Sequence, residues 1–326
     1  MADNHQLADG NNDDDIFVYT GGDQEVPRDV KRVRIAENVD TIPARLFFSC
    51  RQLIEVKGHN KLKKIEEWGF HLCSSLRRVT KINGVIEIGD LAFHNCHELS
   101  DVELDKVETI GFGAFARWHS LRSINLPSVR RSGKNAFQDC TKLTDAKFGE
   151  DLEEIERGTF TGCTAMRRIV IPLKNNLIVS NDAFNRCDNL VRVDALAGGT
   201  HKTISSLHME SWRDEMSEEI DSINQTLPDT SSEKKGAAIN QWIESVLRRM
   251  EHYKEEHHVF VKEAMTLLEL ALWKAKLLDE EGMKCEAEEK MSQKAKIDVN
   301  SAREERRVTC GANIVIKNVL PFLLLE

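Results

Sequence analysis

The chain has 326 residues, of which 40% are hydrophobic and 30% charged, so it can bury a core and stay in solution. Its formal net charge of −9 argues against a protein held mainly by nucleic-acid phosphates, which needs surplus Lys and Arg. The sequence contains no apolar run of about 18 residues, which argues against a membrane span. Residues 1–25 hold seven acidic residues and no Lys or Arg, unlike the basic start of a secretory signal. We therefore expect a cytoplasmic (intracellular) protein, with residues 1–26 as an acidic disordered tail.

An aromatic residue recurs every 22 to 24 residues through the first half of the chain. The column consists of Phe47, Phe70, Phe93, Phe115, Phe137, Phe160 and Phe184. An aliphatic residue stands five positions earlier in six of the seven units, with Ser132 as the exception. A cysteine stands three positions later in six of the units, with Trp118 as the exception. Leu or Met stands six residues after each phenylalanine, and Val, Ile or Ala stands nine residues after it. Five columns therefore keep register through seven units.

Repeats of this length predict a solenoid, because one unit buries too little surface alone and must stack on its neighbours. Segments such as Ser123–Leu126 and Arg168–Ile171 alternate polar and apolar residues, which is typical of short strands with one face inward. The stretch before each cysteine, such as Gly113-Ala114-Phe115, predicts a short helix or a tight turn on the opposite wall.

The repeat unit resembles the BspA-type leucine-rich repeat, Ile-x-x-x-Ala-Phe-x-x-Cys-x-x-Leu-x-x-Val-x-Leu, most closely at residues 88–104 and 110–126. The resemblance implies an α/β repeat fold, a leucine-rich-repeat solenoid of about seven units over residues 27–200. Ser132 and Trp118 depart from the pattern and predict a local irregularity near the middle of the solenoid. Related repeats occur in bacterial surface adhesins, so the alternative is a secreted or surface adhesion protein whose export signal is missing from this chain.

The cysteines and one glycine motif could be mistaken for chemical sites. Six of the eight cysteines fall in one repeat column and none forms a Cys-x-x-Cys pair, so we expect buried thiols and no metal site. Residues 111–116 match the Gly-x-Gly-x-x-Ala fingerprint of dinucleotide sites. The same positions of neighbouring units follow the repeat pattern but lack the full fingerprint, so the glycines belong to the repeat. We expect no cofactor, and the absence of a nucleophile or phosphate-binding motif predicts that the protein is not an enzyme.

The repeat ends near Leu196, and helical patterns follow it. Apolar residues from Ile204 to Leu227 predict a capping amphipathic helix over residues 201–228, and residues 229–236 read as a linker. Apolar residues then recur at alternating steps of four and three from Ile239 to Leu278. This pattern predicts a helical hairpin with residues 298–320 or a coiled coil, so residues 237–326 form a separate domain, with self-association through residues 237–281 as a possibility. His257 lies on this seam and is expected to pack there rather than bind a metal.

The tail carries a second resemblance. Residues 267–276 and 306–312 are similar to a C-terminal region attached to such repeats in many diatom proteins. That resemblance implies an architecture and no active site.

The stacked coils predict an extended surface for a protein or peptide partner, with no nucleic acid bound. The candidate contacts are the variable outward positions beside the strands. They are Glu55, Arg78, Asp101, Glu103, Arg122, Ser123, Asn125, Thr144, Asp145, Arg167, Arg168 and Arg192.

Overall fold

A computed structural model describes residues 16–100, 102–196, 204 and 209–289, with side chains to residue 276. Residues 16–196 form the predicted leucine-rich-repeat solenoid, in which every paired strand runs parallel to its neighbours. The strands are β1 (Ile16–Tyr19), β2 (Arg32–Ile35), β3 (Thr41–Ile42), β4 (Glu55–Lys57), β5 (Lys64–Ile65), β6 (Arg78–Thr80), β7 (Glu87–Ile88), β8 (Thr109–Ile110), β9 (Ser123–Leu126), β10 (Arg131–Ser132), β11 (Asp145–Phe148), β12 (Glu154–Ile155), β13 (Arg168–Ile171), β14 (Ile178–Val179) and β15 (Arg192–Ala195).

Two four-stranded sheets form what we call the strand wall. One has the order β1-β2-β4-β6 and the other β15-β13-β11-β9. Residues 102–104 lie between them and contribute no strand. The two-residue strands form a separate seven-stranded sheet on another wall, in the order β14-β12-β10-β8-β7-β5-β3. Every coil therefore presents one residue of each column at the same place, which is why the columns keep register.

The stretch around each of the first six column phenylalanines is a turn, whereas Phe184 ends a 3₁₀ helix, Asn181–Phe184. In those six turns the residues two before and two after the phenylalanine have left-handed backbone angles, for example Trp68 with φ of 60° and Leu72 with φ of 61°. This conformation costs about 1–2 kcal/mol for a side chain other than glycine. The cost is offset by hydrogen bonds between coils, since the amide of Phe70 donates to the carbonyl of Ala92 at 2.7 Å.

The core consists of ladders of identical side chains. Successive column phenylalanines stack with ring centroids 5.0–5.7 Å apart and planes within 13° of parallel. Five cysteine thiols each donate to the carbonyl of a phenylalanine in the preceding coil at 2.9–3.2 Å. Each thiol therefore acts as a small core side chain with a weak hydrogen-bond donor.

The two departures from the repeat are absorbed locally. The indole of Trp118 is fully buried and stacks on Phe115, with centroids 5.2 Å apart. The buried hydroxyl of Ser132 lies 3.1 Å from that of Thr159, and β10 pairs with strands on both sides. The seven-stranded sheet is therefore unbroken at Ser132, and the strand wall is instead interrupted one coil earlier, at residues 102–104.

The solenoid begins earlier than expected. We predicted a disordered tail through residue 26, but β1 lies inside that segment and pairs with β2 from Ile16 to Tyr19. All four residues of β1 are aliphatic or aromatic, as suits a strand, and Tyr19 is buried. The side-chain amide of Gln24 caps the outer edge, accepting from the Thr20 amide at 2.8 Å and donating to the Val18 carbonyl at 3.1 Å.

The last coil is capped by residues of two helices, α1 (Glu210–Thr226) and α2 (Lys235–Glu289). The Asn240 amide accepts from the Val179 amide at 3.1 Å and donates to its carbonyl at 2.5 Å, while Asn224 accepts from the Val193 amide at 2.8 Å. The buried Lys235 ammonium donates to two carbonyls of the same coil. These side chains satisfy backbone groups that a further coil would otherwise pair.

The expected linker at residues 229–236 is short and largely structured. A 3₁₀ turn, Leu227–Asp229, ends at its first residue, a second, Ser232–Lys234, lies within it, and α2 starts at Lys235.

The chain divides into two compact units, Met1–Thr200 with Glu218–Leu247 and His201–Ser217 with Arg248–Glu326. In the second unit, Tyr253 stacks on Trp212 with centroids 5.2 Å apart and donates to the Glu215 carboxylate. Burial and this carboxylate raise the pKa of Tyr253 to about 12. Residues 298–320, the expected hairpin partner, lie outside the described residues.

Within the described residues, none of the helices is both long and apolar enough to cross a membrane.

Candidate partner-binding face

Alternation along the strands of the strand wall decides which side chains face outward. Alternate residues of the strands, such as Ile124 and Ile169, are buried and apolar, and the residues between them are exposed or half-buried. The outward residues of β9, β11, β13 and β15 form what we call the C-terminal strand face. Strand register places them in two rows, Ser123, Asp145, Arg168 and Arg192 in one and Asn125, Lys147, Val170 and Asp194 in the other.

Two of the predicted contact residues are already paired within this face. The guanidinium groups of Arg168 and Arg192 reach the two carboxylate oxygens of Asp194 at 2.5 Å and 2.8 Å. The carboxylate of Asp194 raises the pKa of Arg192. These arginines are therefore held by their own fold, and a partner would have to compete with Asp194.

Arg122, Thr144 and Arg167 form a third row immediately before the strands. The amide of Arg167 donates to the Thr144 carbonyl at 2.9 Å, and the amide of Thr144 donates to the Arg122 carbonyl at 2.8 Å. Both arginine side chains are exposed, and neither has an ion pair with any described residue. Among the described residues, no carboxylate therefore holds either of these guanidinium groups.

The other predicted residues lie at the first sheet or between the sheets. The Arg78 guanidinium lies 3.6 Å from the Glu55 carboxylate, across neighbouring strands. Glu103 is exposed in the interruption between the sheets, and Asp101 lies outside the described residues.

An outward basic cluster on the first sheet is not marked by the repeat columns. The outward residues of β1, β2, β4 and β6 form what we call the N-terminal strand face. They are Ile16, Val18, Arg32, Arg34, Glu55, Lys57, Arg78 and Thr80. Four of these are basic and one is acidic. The alternation Arg32-Val33-Arg34-Ile35 carried this signal, but it precedes the first column phenylalanine.

The buried cysteines are the residues to consider for nucleophilic or metal-binding chemistry. Burial raises the pKa of the Cys73, Cys96 and Cys163 thiols, and it raises the pKa of Cys187 to about 12. A thiol with a raised pKa is a poor nucleophile and a poor metal ligand at neutral pH. Among the described residues no group of three His, Cys, Asp or Glu side chains is placed to hold a metal ion.

Histidines stack in the turns that contain the column phenylalanines, beside the phenylalanine ladder. The rings of Phe48 and His71 lie 5.3 Å apart, and those of His71 and His94 lie 4.8 Å apart with nearly parallel planes. The Asn95 side-chain amide lies 2.9 Å from Nδ1 of His94 and donates to it in the neutral ring. Burial, followed by the charges of His71, Arg117 and His97, lowers the pKa of His94 to about 4.

We expect the protein to lose stability as the pH falls from about 6.5 to about 4. The pKa of His94 is about 4 in the fold and 6.5 as an ordinary value, so the unfolded chain takes up the proton first. The stabilisation is complete above pH 6.5 and is lost as the pH falls through that window, and we expect a loss on the order of 2 kcal/mol. Urea unfolding at several pH values, compared between wild type and His94→Phe, measures it.

His252→Gln, which changes a largely exposed histidine, is the control and should follow the wild-type pH dependence. Equal pH dependence in wild type and His94→Phe would contradict the assignment to His94.

The repeat was compared with known proteins. The family model described as the BspA type leucine-rich repeat region matches residues 28–129 and 87–207, with six copies. A search of curated proteins found no match.

Solved structures with similar coils include a leucine-rich repeat protein of T. pallidum, TpLRR, at 24% identity and a TM-score of 0.42, covering 48% of this chain and 74% of that one. A leucine-rich repeat protein from Bacteroides ovatus is 28% identical with a TM-score of 0.44, covering 48% of this chain and 41% of that one. The pneumococcal vaccine antigen PcpA is 21% identical with a TM-score of 0.43, and the match covers 51% of this chain and 45% of that one. This chain thus spans less than half of the last two proteins. Because the family model matches more than half of its residues, the chain belongs to the BspA-type leucine-rich repeat family.

Proposed function

We propose that the protein is a non-catalytic interaction protein that binds a protein or peptide on the outer surface of its strand wall. The family to which the chain belongs suggests an interaction or recognition role, and proteins of this repeat class are generally non-catalytic. The strand wall supports this role because it holds a regular array of polar side chains at fixed spacing, roughly 4.8 Å between coils. The available guanidinium groups of Arg122 and Arg167 are the observation that carries the proposal.

Reversing those two charges tests it. The full-length variant Arg122→Glu with Arg167→Glu should lose on the order of 90% of the partner captured from cell extract, since two opposed carboxylates would repel acidic partner groups. Its melting temperature should match that of wild type, because both side chains are exposed and unpaired among the described residues. Quantitative mass spectrometry of the captured proteins gives the comparison.

A matched control reverses two exposed lysines away from the strand wall. Lys63→Glu with Lys134→Glu makes the same change in net charge, and Lys63 and Lys134 lie beside the seven-stranded sheet. Equal loss of capture in both variants would point to overall charge, and unchanged capture in the arginine variant would refute this choice of face.

We also propose that the C-terminal part of α2 mediates self-association. Support comes from apolar side chains that are 46–66% exposed, namely Val259, Met265, Leu267, Leu270, Leu272 and Trp273. Sedimentation of the full-length protein should give a dimer, and Leu267→Glu with Trp273→Glu should give a monomer. A wild-type monomer at every concentration would contradict this proposal.

A further inference from the structure

The N-terminal strand face differs in charge from the rest of the molecule. Arg32, Arg34, Lys57 and Arg78 point outward from three adjacent strands, with Glu55 as the acidic residue among them. The face therefore carries three net positive charges on a chain whose formal charge is −9. By contrast, the C-terminal strand face has three basic and two acidic residues.

Two of the basic residues have no ion pair among the described residues. Glu55 lies between Arg32 and Arg78 in the strand register, and its carboxylate is 3.6 Å from the Arg78 guanidinium. Arg32 and Lys57 are exposed and have no ion pair with a described residue. These two cations lie on adjacent strands.

An apolar edge borders the basic cluster. Ile16 and Val18 on β1 lie beside Arg32 and Arg34 in the register and point to the same side of the sheet. Val18 is 41% exposed and Ile16 is half-buried. A ligand that lies across the face can therefore place carboxylates on Arg32 and Lys57 and an apolar side chain on β1.

We propose that the N-terminal strand face binds an acidic peptide segment of a partner protein that also carries apolar side chains. This inference rests on the proposed function and names the chemistry of the partner at one part of the strand wall. A nucleic acid is the less favoured occupant, because it carries a charge on every phosphate and would bring one near the Glu55 carboxylate, whereas a peptide can place an uncharged residue there. The face also presents no aromatic ring on which a base could stack, among the residues that the structure describes.

The test uses the full-length protein and a short fluorescein-labelled peptide of Glu, Ser and Leu, read by fluorescence anisotropy. The control peptide replaces each Glu with Gln. Wild type should bind the Glu peptide more tightly than the Gln peptide, and added salt should weaken the binding. Arg32→Glu with Lys57→Glu should raise the Kd on the order of tenfold or more.

Lys63→Glu with Lys134→Glu, away from the strand wall, makes the same change in net charge and should leave the Kd within about twofold. If the double reversal at Arg32 and Lys57 fails to fold, Arg32→Gln with Lys57→Gln should weaken binding in the same direction with a smaller change.

Three results would overturn the inference. They are absence of binding to the Glu peptide, equal weakening in the two charge-reversal variants, and tighter binding of a single-stranded oligonucleotide that the Arg32 and Lys57 changes abolish. If the peptide does not bind while capture from extract still depends on Arg122 and Arg167, only this inference fails. If capture depends on neither strand face, the proposed function fails as well.

Discussion

Replacing Phe115 with alanine should lower the free energy of unfolding by about 4 kcal/mol. The Phe115 ring is fully buried between Phe93 and Phe137, with centroids 5.7 Å and 5.1 Å away. Alanine would leave a cavity in the middle of the ladder and remove contacts to both neighbouring coils. Because each coil is stabilised mainly by its neighbours, a defect at this position affects both halves of the solenoid. Urea unfolding followed by circular dichroism measures the change.

Phe112 provides the control within the same coil. Its side chain is 46% exposed, so Phe112→Ala should change the free energy of unfolding by no more than about 0.5 kcal/mol. Similar losses in the two variants would mean that the stacked ladder is not the main source of stability.

Replacing Lys235 with methionine should destabilise the protein by about 2–3 kcal/mol. The Lys235 side chain is fully buried, and its ammonium donates to the carbonyls of Asp188, at 3.1 Å, and of Leu190. Methionine fills a similar volume but donates no hydrogen bond, so two carbonyls of the last coil would lose their partner. Burial of the ammonium lowers the pKa of Lys235.

The adjacent Lys234 is exposed, so Lys234→Met should leave the unfolding transition within about 0.5 kcal/mol of wild type. An unchanged Lys235→Met protein would show that the hydrogen bonds of Lys235 do not stabilise the last coil.

The fold was predictable from the sequence because every coil packs against its neighbours through the same positions. A side chain such as Phe70 meets its own equivalents in neighbouring coils, so a column in the sequence becomes a ladder in space. The same logic predicted the outward positions, since alternation within a strand decides which residues are buried. The resemblance of these columns to the BspA-type repeat is confirmed by the family match.

The pairings between side chains were not predictable in the same way. Asp194 lies 26 residues from Arg168, and their ion pair depends on two strands being adjacent and on the rotamers of both residues. Lys235 and Asn240 reach carbonyls and amides 45 to 61 residues away, so no local pattern marks them as caps. The N-terminal strand face escaped notice because β1 and β2 precede the first column phenylalanine.

The proposed function requires a partner to lie on the outer surface of the strand wall. Arginine-specific covalent footprinting of the captured full-length complex locates the partner. We expect Arg122 and Arg167 to become protected from the reagent, whereas the exposed Arg51 and Arg186 in the turns beside the phenylalanine ladder should react as in the free protein. Protection of Arg51 and Arg186, with Arg122 and Arg167 unchanged, would place the partner on the opposite wall and contradict the proposed function.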